Sequence, residues 1–385
     1  MKIGLMGFEF SSPNKGCEAL VYSFLDIIKG ALTTNDVVYN FSGTELGYVP
    51  EYFDEIHFIN IYPILKDFKF KYIRCLKECD IIFDVTMGDS FSDIYSKEYY
   101  NYLIIHKQIS QFLCKRYILL PQTYGPFKEM GSAEKAIKIF RNSAKIYCRD
   151  EISQRLLVDK FNITDSELAS DMAFVLPYDK GMYVFSDREK IGVNVSGLLY
   201  KGGFNKENQF NLSINYKKLV DRILSALSRK YEVHLIPHVI DLKEDAHDDD
   251  YKICKILQEK YPETILAPAF HTPIEAKSYI SNMKIFIGSR MHSTIAAFSS
   301  DVVTIPISYS RKFEGLFNSL NYEYVINGRE ETTESAYLKI LQYIEDFDKL
   351  RNIQEKSLEI IKDKNNKFSN SIRNVLTNTL IRETH

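Results

Sequence analysis

The sequence predicts an α/β protein built from two doubly wound, Rossmann-like domains. Three observations lead there. Short apolar runs rich in β-branched residues alternate with longer segments of helical period, the pattern of parallel strands joined by crossover helices. The alternation breaks near residues 177–182, where Pro177, Asp179 and Gly181 favour turns, and then starts again. The chain has 385 residues, more than the roughly 250–300 at which a single core stops growing.

In the first half, residues 2–8, 37–41, 56–60, 80–86, 117–120 and 146–148 read as strands, with helices at about 16–31, 99–113 and 132–143. After the break, residues 191–195, 233–237, 285–287 and 302–307 read as strands of a second sheet. The stretch 334–384 is helical and mixed in charge, and is expected to be able to pack back on the first domain. The domains are therefore expected at 1–179 and 180–385, facing a cleft in a glycosyltransferase-B-like arrangement. Ligands in such sheets lie outside the carboxyl ends of the strands, so functional residues are sought just after strands.

With 49 basic and 51 acidic residues the formal charge is −2, which leaves no net field to gather nucleic acid. The start shows none of the sections of a signal peptide, and no apolar run reaches the ~20 residues that span a bilayer. A cytoplasmic location is expected, with peripheral contact at the inner face of the membrane left open. The 26 Tyr and 25 Phe, without Trp, suit core packing first and stacking on sugar faces second. Six Cys without metal-type spacing read as reduced core thiols. Neither a metal nor a cofactor is expected.

Five segments could carry chemistry. After the first strand, Asn14, Gly16 and Glu18 open a helix whose N-terminal N–H groups favour anions or sugar hydroxyls, although a plain Asn14 cap explains the same residues. After the fourth, Asp84, Asp89 and Asp93 share one loop, as hydroxyl acceptors, a possible base, or solvated caps. Gln122 and Tyr124 precede a Gly125-Pro126 turn at a strand end. Arg149 stands before Asp150, which suits a helix cap; a cap needs no arginine, so Arg149 is expected to bind a carboxylate or phosphate bidentately. Arg290 and His292 leave an apolar strand for an apolar helix, and Arg311 and Lys312 follow the next strand. Convergent Arg, His and Lys are what a small ligand with both phosphate and carboxylate requires.

These residues, in order from Met1 to about Leu316, resemble the polysaccharide pyruvyltransferase family. The resemblance is carried by Gly4-x-x-Gly7, Asn14-x-Gly16-x-Glu18-Ala19, Gln122-x-x-Gly125-Pro126, Arg149-Asp150-x-x-Ser153, Asp171-x-Ala173-Phe174, Arg290-x-His292 and Tyr309-x-x-Lys312. Cys17, Met87-Gly88-Asp89 and Met172 depart from the family's usual acidic residue, glycine run and proline. The resemblance implies transfer of pyruvate from phosphoenolpyruvate onto two hydroxyls of one sugar as a ketal, with release of phosphate. The sugar would belong to a cell-surface polysaccharide or its lipid-linked precursor, such as a polyprenyl-diphosphate oligosaccharide. On that basis Arg149, Arg290 and Lys312 are expected to hold the donor. His292 is the expected acid or base, with Asp171 or Asp89 as base if His292 grips the phosphate. Asn14, Glu18, Asp89, Gln122 and Tyr124 are expected near the acceptor. The main rival is a nucleotide-sugar-dependent glycosyltransferase of the same architecture; a non-catalytic sugar-binding protein is the third reading.

Overall fold

The computed structural model describes residues 1–10, 12–42, 56–60, 69–114, 116–241, 243 and 247–383. The chain forms two compact units. The first comprises residues 1–12, 20–172 and 363–385, the second residues 13–19 and 173–362. The main passage thus falls at 172–173, with 179–180 as the expected boundary. The second half of the terminal helix Phe347–Glu383 groups with the first unit.

The first unit is a seven-stranded parallel sheet of β1 (Lys2–Met6), β2 (Val37–Ser42), β3 (Ile56–Asn60), β4 (Ile81–Asp84), β5 (Tyr117–Gln122), β6 (Lys145–Cys148) and β7 (Glu167–Leu168), in the order β3-β2-β1-β4-β5-β6-β7. All four residues of β4 and all six of β5 are buried, as strands covered on both faces must be. The first strand ends at Met6, two residues earlier than expected, because Gly7 turns the chain at φ 71°. A Cβ on Gly7 would lie 2.6 Å from the Thr86 backbone, so only glycine allows this approach.

Part of the aromatic excess goes into the core. Phe91, Tyr124, Phe127, Phe140 and Phe161 form a chain of rings with centroids 5.1–6.5 Å apart. The terminal helix contributes Phe368, whose ring meets Tyr147 edge-on, and Ser371, which accepts hydrogen bonds from Lys145 and the Tyr147 hydroxyl.

The second unit is a six-stranded parallel sheet of β8 (Lys190–Asn194), β9 (Glu232–Leu235), β10 (Ile265–Leu266), β11 (Ile285–Gly288), β12 (Val303–Ser308) and β13 (Ile326–Asn327), in the order β10-β9-β8-β11-β12-β13. The edge strands β7, β10 and β13 have two residues each, too short for any periodicity in sequence. In both sheets the strand order reverses beside the first strand, between β1 and β4 and between β8 and β11. Such switch points open a crevice at the strands' carboxyl ends. None of the described cysteines is in a disulfide, and five of the six are buried. No helix among the described residues is long and apolar enough to cross a membrane.

Candidate functional site

In the second unit the switch point is built around Arg290 and His292, directly after β11. Asn194, at the end of β8, sets the turn. Its Oδ1 accepts from Arg290 N at 2.9 Å and Ser289 N at 3.3 Å, while its Nδ2 donates to Ile236 O. Arg290 then caps helix Met291–Phe298 with its backbone, without a side-chain cap.

Arg290, expected to hold the donor, has its guanidinium bound by carboxylates. Every nitrogen is already engaged. Nε and Nη2 donate to Asp250, the latter at 2.7 Å, and Nη1 and Nη2 both donate to Asp248. Asp250 also accepts backbone N–H bonds from Gly197, His238 and Val239. Arg290 is only 7% exposed, and an unpaired charge at that depth would be costly, which is why carboxylates surround it. It fixes the chain around the histidine that follows.

Residues 13–19 lie against this turn. Lys15 N donates to His238 O at 3.0 Å, Ile240 N donates to Pro13 O at 2.9 Å, and Asn14 forms an antiparallel bridge with Val239. Gly16 packs on His292 so closely that a Cβ there would lie 2.3 Å from Nδ1. Asn14 Oδ1 accepts from Gly16 N at 3.0 Å, which is the capping role weighed above. Lys15 Nζ donates to Glu18 at 2.6 Å and to His271 O at 2.9 Å. Burial lifts the Glu18 carboxyl to about 7, opposed by Lys15 and reinforced by Glu275. Glu18, expected near the acceptor, is 1% exposed and pairs with Lys15. The Lys312 side chain lies outside the described residues.

In the first unit, β4 leads into Thr86, Met87 and Gly88, all with positive φ. Beneath this turn Asp84 accepts from Lys107 Nζ, Tyr117 OH and Thr86 Oγ1, and Lys107 also donates to Thr86 Oγ1 at 2.6 Å. This buried network fixes the turn that carries Asp89, which is half-buried and donates its N–H to Thr86 O.

Arg149, after β6, is 4% exposed. Its Nη1 donates to Asp171 at 2.9 Å and its Nε to Thr123 Oγ1 at 2.9 Å, so a fully free bidentate fork is not available. Its Nη2 is buried without a hydrogen-bond partner among the described residues. Asp171, expected as an alternative base, is fully buried and orients Arg149. Asp150 caps helix Glu151–Arg155 through Ser153 N, the alternative weighed from sequence.

Two residues expected near the acceptor lie inside the first unit. Gln122 is fully buried and donates from Nε2 to Asp84 O at 3.0 Å, joining neighbouring strand ends. Tyr124 lies in the aromatic core, 2% exposed, with its hydroxyl donating to Tyr147 O at 2.8 Å. Burial raises its phenol well above the usual range.

Three residues of these clusters are absent from the sequence reading. His238 follows β9, where the strand-end rule already points. Lys107 falls on the buried face of helix Lys97–Leu113 at helical spacing from Tyr100 and Ile104. Asp248 belongs to an acidic run that reads in sequence as a solvated loop. Among the described residues no group of three or more His, Cys, Asp or Glu could hold a metal ion.

Solved structures share the fold across nearly the whole chain. The Anabaena protein HepE, solved with UDP and glucose, matches with a TM-score of 0.59 at 11% identity over 96% of this chain and 98% of its own. The UDP-GlcNAc 2-epimerase of Methanocaldococcus jannaschii gives 0.56 at 9% identity over 89% and 92%. The Neisseria meningitidis UDP-GlcNAc 2-epimerase gives 0.54 at 11% identity over 95% and 100%. These likenesses establish a glycosyltransferase-B-type fold and, at such identities, the fold alone. No protein of curated function matches the chain. The family model of the polysaccharide pyruvyl transferases matches residues 14–311, a stretch that holds Asn14, Glu18, Arg149, Asp171, Arg290 and His292, and the chain belongs to that family of transferases.

Proposed function

We propose that the protein forms a pyruvate ketal on a sugar, drawing pyruvate from phosphoenolpyruvate and releasing phosphate. The family match over residues 14–311 supports pyruvyl transfer. The observation that carries the choice of donor is the buried, unpartnered Nη2 of Arg149, held by Asp171 and Thr123. A guanidinium nitrogen left over at such depth suits an anionic ligand. Phosphoenolpyruvate brings a carboxylate and a phosphate, and fixed cations that bind it also favour departure of phosphate.

The reaction balances with two proton transfers from the sugar. A proton adds to the methylene carbon, making the central carbon electrophilic. One sugar hydroxyl adds there and loses its proton, which balances the first step. A second hydroxyl of the same sugar displaces phosphate, and its proton leaves with that group. His292 is assigned the proton transfers, because histidine exchanges a proton near neutral pH, and Asp89 the second basic role. Arg149 and Lys312 are assigned to the donor, with Arg290 holding His292 in place. Asn14 and Asp89 remain as acceptor contacts. The acceptor is a sugar with a bridgeable pair such as the 4- and 6-hydroxyls, in a cell-surface polysaccharide or its lipid-linked precursor.

Nucleotide-sugar transfer is the competing reading, and its support is the shared fold with proteins such as HepE. One experiment separates the two. Purified protein is given phosphoenolpyruvate or UDP-sugars with a panel of galactosides and crude lipid-linked oligosaccharide, while phosphate release and product mass are followed. Phosphate release with a ketal-bearing product, both lost in His292→Ala, supports pyruvyl transfer. Saturable UDP-sugar binding with no response to phosphoenolpyruvate sinks it.

A further inference from the structure

His238 is the one histidine here whose two ring nitrogens, Nδ1 and Nε2, are both buried without a hydrogen-bond partner among the described residues. A buried imidazole ordinarily satisfies at least one nitrogen, since leaving such groups unpaired costs free energy. His234, four residues earlier, bonds Tyr279 and Glu232. His106 bonds Tyr72. His238 instead lies in the field of Lys15 from residues 13–19 and of Arg290 from the turn after β11, with His292 beside them. The carboxylates nearby are committed elsewhere. Asp250 and Asp248 hold Arg290, Asp250 meets only the His238 backbone N–H, and Glu18 holds Lys15.

We propose that His238 is a ligand-binding residue, which with His292 and Lys15 forms an anion subsite for a phosphoryl group and takes up a proton from solvent as that group binds. Donors reaching the ligand from three separate segments suit a tetrahedral dianion better than a planar carboxylate. A neutral imidazole offers one N–H and one lone pair; protonated, it offers two donors, which is what an anion between two histidines needs. Burial, together with the charges of His292, Arg290 and Lys15, holds the His238 imidazole well below its usual pKa. A bound dianion reverses the sign of that field, so binding and protonation are linked. The inference rests on the reading that the donor carries a phosphoryl group, and it adds a residue and a proton to it.

The test is calorimetry on the full chain with sulfate, which stays a dianion throughout the working range, so that any pH dependence belongs to the protein. Titrations in buffers of different ionisation enthalpy report proton uptake. The expected result is uptake of a proton by the wild type and sulfate affinity that falls by up to about tenfold per pH unit, the limit for one linked proton. His238→Gln, which keeps a hydrogen-bonding side chain, loses both; His292→Gln binds more weakly but keeps the uptake. Sulfate binding without proton uptake, uptake that persists in His238→Gln, or no sulfate binding by the wild type overturns the proposal. If His238→Gln fails to fold, the wild-type and His292→Gln titrations still decide. Repeating the series with phosphoenolpyruvate and UDP separates the two readings. His238-dependent uptake with UDP alone keeps the subsite and removes phosphoenolpyruvate as donor. Phosphoenolpyruvate turnover with uptake independent of His238 keeps the function and removes the subsite.

Discussion

Gly16→Ala tests whether the turn at residues 13–19 sets the position of His292. The added methyl would lie 2.3 Å from His292 Nδ1, 2.6 Å from Cγ and 2.7 Å from Cβ. Ordinary carbon contacts are about 3.5–4.0 Å, so the groups must separate by roughly 1 Å. Rotating the imidazole does not relieve the clash, because the ring's own Cβ is among the atoms struck. Either the turn or the start of helix Met291–Phe298 has to move. Overpacking of this kind costs about 1–3 kcal/mol, which in a unit of this size lowers the melting temperature by roughly 2–10 °C. A reacting group displaced by about 1 Å can lose on the order of 10²-fold in rate. Phosphate release from phosphoenolpyruvate, measured on protein shown by circular dichroism to be folded, is therefore expected to fall by about that factor. A variant with wild-type turnover and wild-type melting would refute the packing argument and the placement of His292 with it.

Three further outcomes follow from the same contacts. Asp250→Ala removes a carboxylate that holds Arg290 and three backbone N–H groups; breaking a buried pair costs about 3–5 kcal/mol, to be read from the denaturant midpoint, and a loss below ~1 kcal/mol contradicts it. Tyr124→Phe strips a hydroxyl from Tyr147 O and is expected to cost about 1–3 kcal/mol in stability while leaving the acceptor KM unchanged; a raised KM at equal stability restores Tyr124 as an acceptor contact. Lys277 donates to Phe174 O and Leu176 O, and burial pulls it down to about 7. The unfolded chain then binds the extra proton between about pH 7 and the ordinary lysine value near 10.4, so stability rises with pH across that window, by at most about 1.4 kcal/mol per unit. The difference in unfolding free energy between wild type and Lys277→Met should show that slope, and a flat difference removes the assignment.

The parallel sheets were legible because their strands are buried on both faces and read as short apolar runs, as in Tyr117–Gln122 and Ile285–Gly288. The strand-end rule located Arg149, Arg290 and His292 just after β6 and β11, since topology fixes where the carboxyl end of a parallel strand emerges. Sequence could not say what each side chain does there. Arg149 and Arg290 look alike in it, yet one keeps a buried Nη2 without a partner and the other is enclosed by Asp248 and Asp250, forty residues away in the chain. Gln122 and Tyr124 stand at a strand end in both descriptions, but burial turned them inward, toward Asp84 O and Tyr147 O. His238 carried no motif at all. Local pattern encodes where the backbone runs, because periodicity is a property of neighbours in sequence. Which charges meet, and which polar atoms are left unpaired, is decided by contacts between distant segments, and that is where the chemistry of this chain was hidden.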